Sequence, residues 1–316
     1  MKTSEYKLTR GEKGIALITV LLVLAVVTVA LVSLSSDRQI DTRRTENQLR
    51  SIQAWEYLHS LEAWAENQLI VDLEENPYDA DSDLWSKPLP ATAIPEGNLA
   101  ANITELQGRI NLNNLISEDK PSDEDVLRLK RLFGILGIKT EQVDVMLDWI
   151  DTDTEIRYPN GAEDETYSRL STPYRTANVL FSDVTELLRL QGFTEQDLKK
   201  MQPYVYVAKS YEPLNVNTAN AVVLRCLADG IKKNQAESIF RAHGKPFEKV
   251  DDFLKDEALA DITINKKHLT VNSNHFLLSG QINMGKHSLT FQSQLTRNKN
   301  GEVTVVKRSR RSSIDG

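Results

Sequence analysis

The richest chemical segment of the chain is DWIDTDTEIRYPNGAEDETY, residues 148–167. Asp148, Asp151, Asp153 and Glu155 lie close together, and Glu163, Asp164 and Glu165 follow Pro159-Asn160-Gly161. A turn at that tripeptide would bring the two acidic groups together. So many carboxylates repel one another unless solvent or a cation intervenes. Calcium matches such a set, because it accepts about six to eight oxygen ligands in flexible geometry. The residues alone leave two readings open, a calcium site or a hydrated acidic loop. The segment is not an EF-hand, since its glycine and terminal glutamate fall at the wrong offsets. Zinc is disfavoured, since the cluster contains neither cysteine nor histidine.

Paired carboxylates could also act as general acid and base, or hold a metal that activates water. No matching nucleophile, oxyanion site or phosphate loop accompanies them. His59, His243, His268, His275 and His287 are dispersed and form no HExxH or close His/Asp signature. Cys226 is the only cysteine, so no internal disulfide can form. Its neighbours, VVLRCLA, make it a buried helix residue rather than a thiol nucleophile. The expectation is a protein that is not an enzyme.

The elements that must carry this segment begin with an anchor. Lys2, Lys7, Arg10 and Lys13 precede an apolar stretch that runs without a charge from Ile15 through Ser36. That length of helix crosses a bilayer's hydrocarbon core. The excess of Lys and Arg ahead of it keeps that end cytoplasmic and sends the bulk of the chain to the other side. Leu49, Ile52, Trp55, Leu58, Leu61, Trp64 and Leu69 continue a helical period, so membrane helix and soluble helix read as one spine. Asn76-Pro77 ends it, and residues 76–98 are turn-rich.

A β-like segment covers 102–113, and residues 114–270 are mostly helical in pattern, with VLRLKRLFGILGI and VDVMLDWI the strongest helices. DVTELLRL, AVVLRCLADGI and NQAESIFRA are further candidates. Alternation returns in HFLLSGQINM, HSLTFQSQL and EVTVVKR, the last two joined by a turn at Asn300-Gly301. The basic run KRSRR, 307–311, reads as a solvated end, with anionic lipid or a partner as the other candidate contact. RINLNNL and EPLNVNTAN both place N-x-N before a helical run. The second resembles the start of a helix-hairpin-helix module. Its loop, LADGIKKNQ, lacks the paired glycines that would offer backbone amides to phosphate. The formal charge of −7 also argues against general nucleic-acid binding.

Two sets of residues carry a family resemblance. Gly14-Ile15, with Glu12 and Lys13 before it, resembles a type IV prepilin-like cleavage site. The DWID-x-D and GAED-x-x-Y arrangement is similar to that of K-type minor pseudopilins of type II secretion. Thr19 stands where most pilin-like chains carry a glutamate, and K-type members lack that glutamate. The resemblance covers essentially the whole chain. It implies an α+β fold with a pilin-like long N-terminal helix, an antiparallel sheet and a large, mostly helical inserted domain. The corresponding divisions are a leader (1–14), a transmembrane helix (15–36), and the spine helix with the first part of the core (37–113). The inserted domain with the acidic loop (114–270) and the C-terminal strands and basic tail (271–316) complete it.

The resemblance also implies cleavage after Gly14 by a prepilin peptidase, with a methylated Ile15 as the mature N-terminus. Thr19 would leave no acceptor for the amine of a subunit ahead, which suits the top of a filament. The implied cofactor is structural calcium, one or two ions, held by Asp151, Asp153, Glu163 and Asp164, with Asp148 and Glu155 as weaker candidates. Implied partners are I-like and J-like minor pseudopilins, other pseudopilins and the inner-membrane assembly platform, with secretin or secreted substrate as further contacts. The implied role is a tip subunit that initiates or caps the pseudopilus, anchored in the bacterial inner membrane with its large region in the periplasm. A tip subunit of a true type IV pilus and a membrane-tethered periplasmic metal-dependent hydrolase are the alternatives.

Overall fold

The computed structural model describes the backbone of residues 10–314 apart from 242, 243 and 286, and the remaining side chains from 15 to 310. His243 and the first nine residues of the leader therefore lie outside the described residues. Helix α1, Arg10–Glu75, is a single rod of 66 residues, roughly 100 Å at the usual rise per residue. It is unbroken because neither glycine nor proline occurs between Ile15 and Glu75. From Ile15 to Leu34 its apolar side chains are exposed. Its last third buries a stripe made by Ala54, Leu58, Leu61, Ala65 and Leu69. Leu49 and Ile52 are 56% and 59% exposed because they lie on the face turned away from the sheet, which at this level is met by Asn47, Arg50 and Ala54.

That stripe packs on one five-stranded sheet. Its strands are β1 (Leu89–Ile94), β2 (Gly97–Glu105), β3 (His275–Met284), β4 (His287–Arg297) and β5 (Val303–Ile314). They lie in chain order and every neighbouring pair is antiparallel. Trp85, Leu99, Ile103, Phe276, Leu278, Ile282, Phe291 and Leu295 complete the core with the helix stripe. The Asn300-Gly301 turn forms, with Gly301 at φ 83, a left-handed conformation suited to glycine.

Two sequence expectations need correction. The segment 102–113 is not one strand. Residues through Glu105 belong to β2, whereas Ile110-Asn111 pairs in parallel with Val205-Tyr206. The break is made by Glu105, whose carboxylate accepts from Gln107 N at 2.5 Å and Gly108 N at 2.8 Å and turns the chain. The basic run 307–311 is not a loose end but part of β5, paired with Thr290–Gln294 of β4, and its residues 307–310 remain solvent-exposed. Lys307 ion-pairs with Asp183, Arg308 Nε lies 2.7 Å from Glu62 Oε1 on α1, and Arg310 stacks over Trp55 at 4.6 Å.

Residues 106–274 form the inserted domain between β2 and β3. It holds α2 (Asp123–Leu136), α3 (Gln142–Ile150), α4 (Asp164–Ser168) and α5 (Glu195–Met201), then α6 (Ala221–Arg225), α7 (Lys233–Ile239) and α8 (Val250–Leu254). DVTELLRL forms a 3-10 turn, Val184–Arg189, rather than an α-helix. A separate hydrophobic core includes Leu132, Phe133, Met146, Trp149, Tyr167, Val216, Leu224 and Phe253.

The two N-x-N phrases occupy equivalent corners of this domain. Asn113 Nδ2 donates to Phe181 O while Phe181 N donates to Asn113 Oδ1. Asn217 repeats that two-way clasp with Phe247. Each corner opens with a short parallel pair, Ile110-Asn111 with Val205-Tyr206 and Leu214-Asn215 with Leu269-Thr270. The asparagines are buried and satisfied by backbone, so they brace loops rather than offer donors to a ligand.

Candidate cation site

Helix α3 delivers the first acids. Val143, Met146 and Trp149 bury its apolar face, leaving Asp148 fully buried on the last turn and Asp151 as the extended residue that ends the helix. The return strand is held by aromatic contacts. Trp149 meets Tyr167 of α4 edge-on at 5.2 Å, and Tyr167 stacks on Tyr174 at 5.3 Å. Gly161 passes so close to the Asp148 carboxylate and the Arg157 backbone that any side chain there would collide. Glu163, immediately before α4, is thereby turned back toward Asp151.

Asp151, Asp153 and Glu163 each present an oxygen within 4.8 Å of the others. Asp151 and Glu163 are 7% and 2% exposed, while Asp153 faces solvent. Asp148 adjoins them, and its charge and that of Asp151 act on Glu163. Glu155 and Asp164 stand outside the three-residue group. Asp164 Oδ1 instead accepts from Thr176 N at 2.9 Å and Thr176 Oγ1 at 2.7 Å, with Arg175 3.9 Å from its other oxygen. Glu155 contributes its backbone N–H to Asp153 Oδ1 at 2.8 Å, which orients that carboxylate.

Two participants escaped the sequence reading. Arg157 Nη2 donates to Asp151 Oδ2 at 2.6 Å, and its Nε lies 3.2 Å from Asp148 Oδ1. A lone cation inside an acidic run was the available signal. Thr176 Oγ1 donates to Glu163 Oε2 at 2.7 Å, and nothing in the local sequence marks it.

One guanidinium does not balance four carboxylates. Burial pushes Asp148 up to about 6 and raises Asp151 and Glu163 as well. Hydrogen bonds from Thr176 hold Asp164 below its ordinary value. Asp151 Oδ1 and Glu163 Oε1 are buried and accept no hydrogen bond, whereas Asp148 Oδ1 has the Arg157 guanidinium beside it. Buried oxygens of that kind are costly unless a positive group meets them. Their hard, anionic character fits a divalent cation, and the Asp/Asp/Glu cluster can coordinate one.

Thr19 lies on the exposed membrane half of α1, where its hydroxyl donates back to Ala16 O at 2.9 Å. Gly14 and Ile15 are consecutive residues of the same helix, and Ile15 is 65% exposed. The Ile15-led segment is long and apolar enough to cross a membrane. Among the described residues it is the one helix of that kind, an N-terminal anchor with the large C-terminal region behind it.

Comparison with known proteins places these features together. Two family models, both described as type II secretion system protein K, match residues 108–210 and 214–272. Neither describes a catalytic domain. Type II secretion system protein K of Pseudomonas aeruginosa is 35% identical, over 95% of this chain and 93% of the relative. The protein of that name from Aeromonas hydrophila is 26% identical, over 95% and 97% respectively. The structure is similar to a chain of the GspK-GspI-GspJ complex from the enterotoxigenic Escherichia coli type 2 secretion system. The TM-score is 0.75 at 25% identity, covering 85% of this chain and all of that one. The pilin-like helix and sheet, the inserted helical domain and the whole-length likeness lead to one assignment: the chain belongs to the type II secretion system protein K family.

Proposed function

We propose that this chain is a minor pseudopilin at the tip of a type II secretion pseudopilus, where it initiates or caps the filament together with I-like and J-like subunits. The observation that carries this reading is the likeness to a chain of the three-subunit GspK-GspI-GspJ complex, at TM-score 0.75 over that chain's full length. Prepilin peptidase removes the leader after Gly14, and methylated Ile15 starts the mature chain. The assembly platform then draws α1 from the bilayer into the filament. Thr19 supports the top position, because it provides no carboxylate for the amine of a preceding subunit. The bulk of residues 106–274 adds a steric reason for nothing to stack above.

The ion at the acidic cluster is calcium in this reading, with Asp151, Asp153 and Glu163 as protein ligands. Its role is structural, joining the end of α3 to the start of α4. An all-carboxylate donor set without histidine or cysteine favours calcium over zinc. Size-exclusion chromatography with light scattering on the periplasmic region, mixed with I-like and J-like partners, tests the assembly. A defined 1:1:1 complex is expected. Folded partners that remain monomeric with this chain would overturn the reading.

A further inference from the structure

The loop that follows the spine, residues 76–83, straps the inserted domain to the end of α1. Asp79 N donates to Val271 O at 2.8 Å, Asn272 Nδ2 to Pro77 O at 2.9 Å, and Ser273 N to Asp79 Oδ2 at 2.7 Å. Asn215 Nδ2 donates to Asp79 O at 3.0 Å.

This strap closes over an excess of acid. Asp72, Asp79 and Asp83 are 4%, 1% and 8% exposed. Among the described residues, Arg297 is the one cation in ion-pair range of any of them. Its fork is taken up by Asp79 and Leu69 O, and its Nη1 stands 3.7 Å from Asp72 Oδ2, beyond hydrogen-bond range. Asp83 Oδ2 accepts from Ala80 N at 2.7 Å, and Asp72 Oδ1 from Asn76 Nδ2 at 2.8 Å. Asp72 Oδ2 is buried and accepts nothing. The Asp72 carboxyl group lies within hydrogen-bonding reach of Asp79. Two ionised carboxylates in that position repel, whereas one proton turns the contact into a hydrogen bond.

Apart from Arg297 on β4, the groups facing the pair are neutral or acidic. The spine brings Asn76, the loop brings Asp83, and the inserted domain brings Asn215 and Ser273, with Glu105 on the far side of Ser273. Burial, with the charges of Asp83 and Asp79, raises the Asp72 carboxyl to about 7.

We propose that Asp72 and Asp79 share one proton and that this proton holds the strap closed, so that the inserted domain is fastened to the spine at acidic pH and released as the medium becomes alkaline. The folded chain binds the proton more tightly than the unfolded chain. Closure is fully favoured below the ordinary aspartate value of 3.8 and weakens as pH rises through about 7. The five-stranded sheet keeps its own ladder throughout, so the device changes the attachment of the inserted domain and leaves the sheet intact.

The full-length chain in detergent micelles carries the test, with E105Q as the parent so that the neighbouring buried acid is silent. Infrared difference spectra between about pH 5 and pH 8 read the carbonyl band of a protonated carboxyl group. Hydrogen exchange, corrected for the intrinsic effect of pH, reads the Asp79 and Ser273 amides. The parent should show a band that fades through about pH 7 and is missing from E105Q/D72N. Protection of the two amides should fall about 10-fold over that range in the parent. It should stay level in E105Q/D72N, whose Asn amide donates to Asp79 at any pH. A band retained in E105Q/D72N, or an equal fall in both chains, would overturn the proposal. Should D72N fail to fold, the parent decides alone. Level protection, or a fall matched at the sheet amides of Leu278 and Phe291, would overturn it equally.

Discussion

Arg297 grips Asp79 through both carboxylate oxygens, its Nη2 lying 2.6 Å from Oδ1 and 2.7 Å from Oδ2, with the arginine only 2% exposed. The same guanidinium donates to Leu69 O on α1 and Ser273 O before β3, stands 3.7 Å from Asp72, and lies over Phe276. It therefore joins the spine, the loop after it, the end of the inserted domain and the last-but-one strand. Asp79 O in turn accepts from Asn215 of the inserted domain. Truncating one member of such a network leaves buried charges unmatched.

We expect R297A to lower unfolding free energy by about 3–5 kcal/mol. R297K should also destabilise, because an ammonium cannot reproduce the fork. Urea denaturation of the periplasmic region measures both. A loss below about 1 kcal/mol in R297A would show that the network adds little.

Glu105 supplies a pH dependence with a definite sign. Burial raises its carboxyl to about 7, against an ordinary value of 4.5. The folded state thus binds its proton more tightly than the unfolded state between those limits. Its contribution to stability is fully present below the unfolded value and is lost as pH rises through about 7. E105Q, which mimics the protonated form, should gain on the native chain as pH rises from 5 to 8. A change in their stability difference on the order of 2 kcal/mol is expected. Parallel pH profiles would refute the assignment.

At the cation cluster, geometry separates neighbouring acids that sequence treats alike. D151N and E163Q should abolish the thermal stabilisation produced by calcium, whereas D164N and E155Q should retain most of it. At 100-fold excess over Kd the native chain should gain about 2.7 kcal/mol. Calorimetric melting with calcium and with chelator gives the comparison. Loss of the calcium effect in D164N alone would reverse the ligand ranking.

Arg157 should act in opposite directions on the two forms of the site. It partly neutralises Asp148 and Asp151, so R157Q should destabilise the calcium-free protein. It also competes for Asp151 Oδ2, so the same variant should bind calcium more tightly. Calcium titration by calorimetry, alongside melting in chelator, distinguishes this from simple damage, which would weaken both.

How far these arrangements were legible follows from the range of the interactions. The spine was readable because a 3.6-residue period and the absence of glycine and proline are local properties. The hairpin at Asn300-Gly301 was readable for the same reason. The acidic segment was recognisable, but the diversion of Asp164 to Thr176, twelve residues on, depends on how the chain after α4 folds back, which no local pattern marks. The basic run looked like a tail because its charges dominate its composition. Its partners, Glu62, Asp183 and Trp55, lie more than a hundred residues away in sequence. The two N-x-N phrases announced a repeated unit whose meaning appeared only with the Phe181 and Phe247 clasps.

The place where the inserted domain joins the sheet has a consequence for how such chains can change. Glu105 and Phe276 are direct cross-strand partners, and Leu106 N donates to His275 O at 3.0 Å. To the sheet, everything from 106 to 274 is the loop of one hairpin. Length can be gained or lost there without moving the register of β2 against β3. A single shaft-compatible scaffold can thus carry heads of different size, provided that groups in the place of Ser273 and Asn215 still meet Arg297 and Asp79.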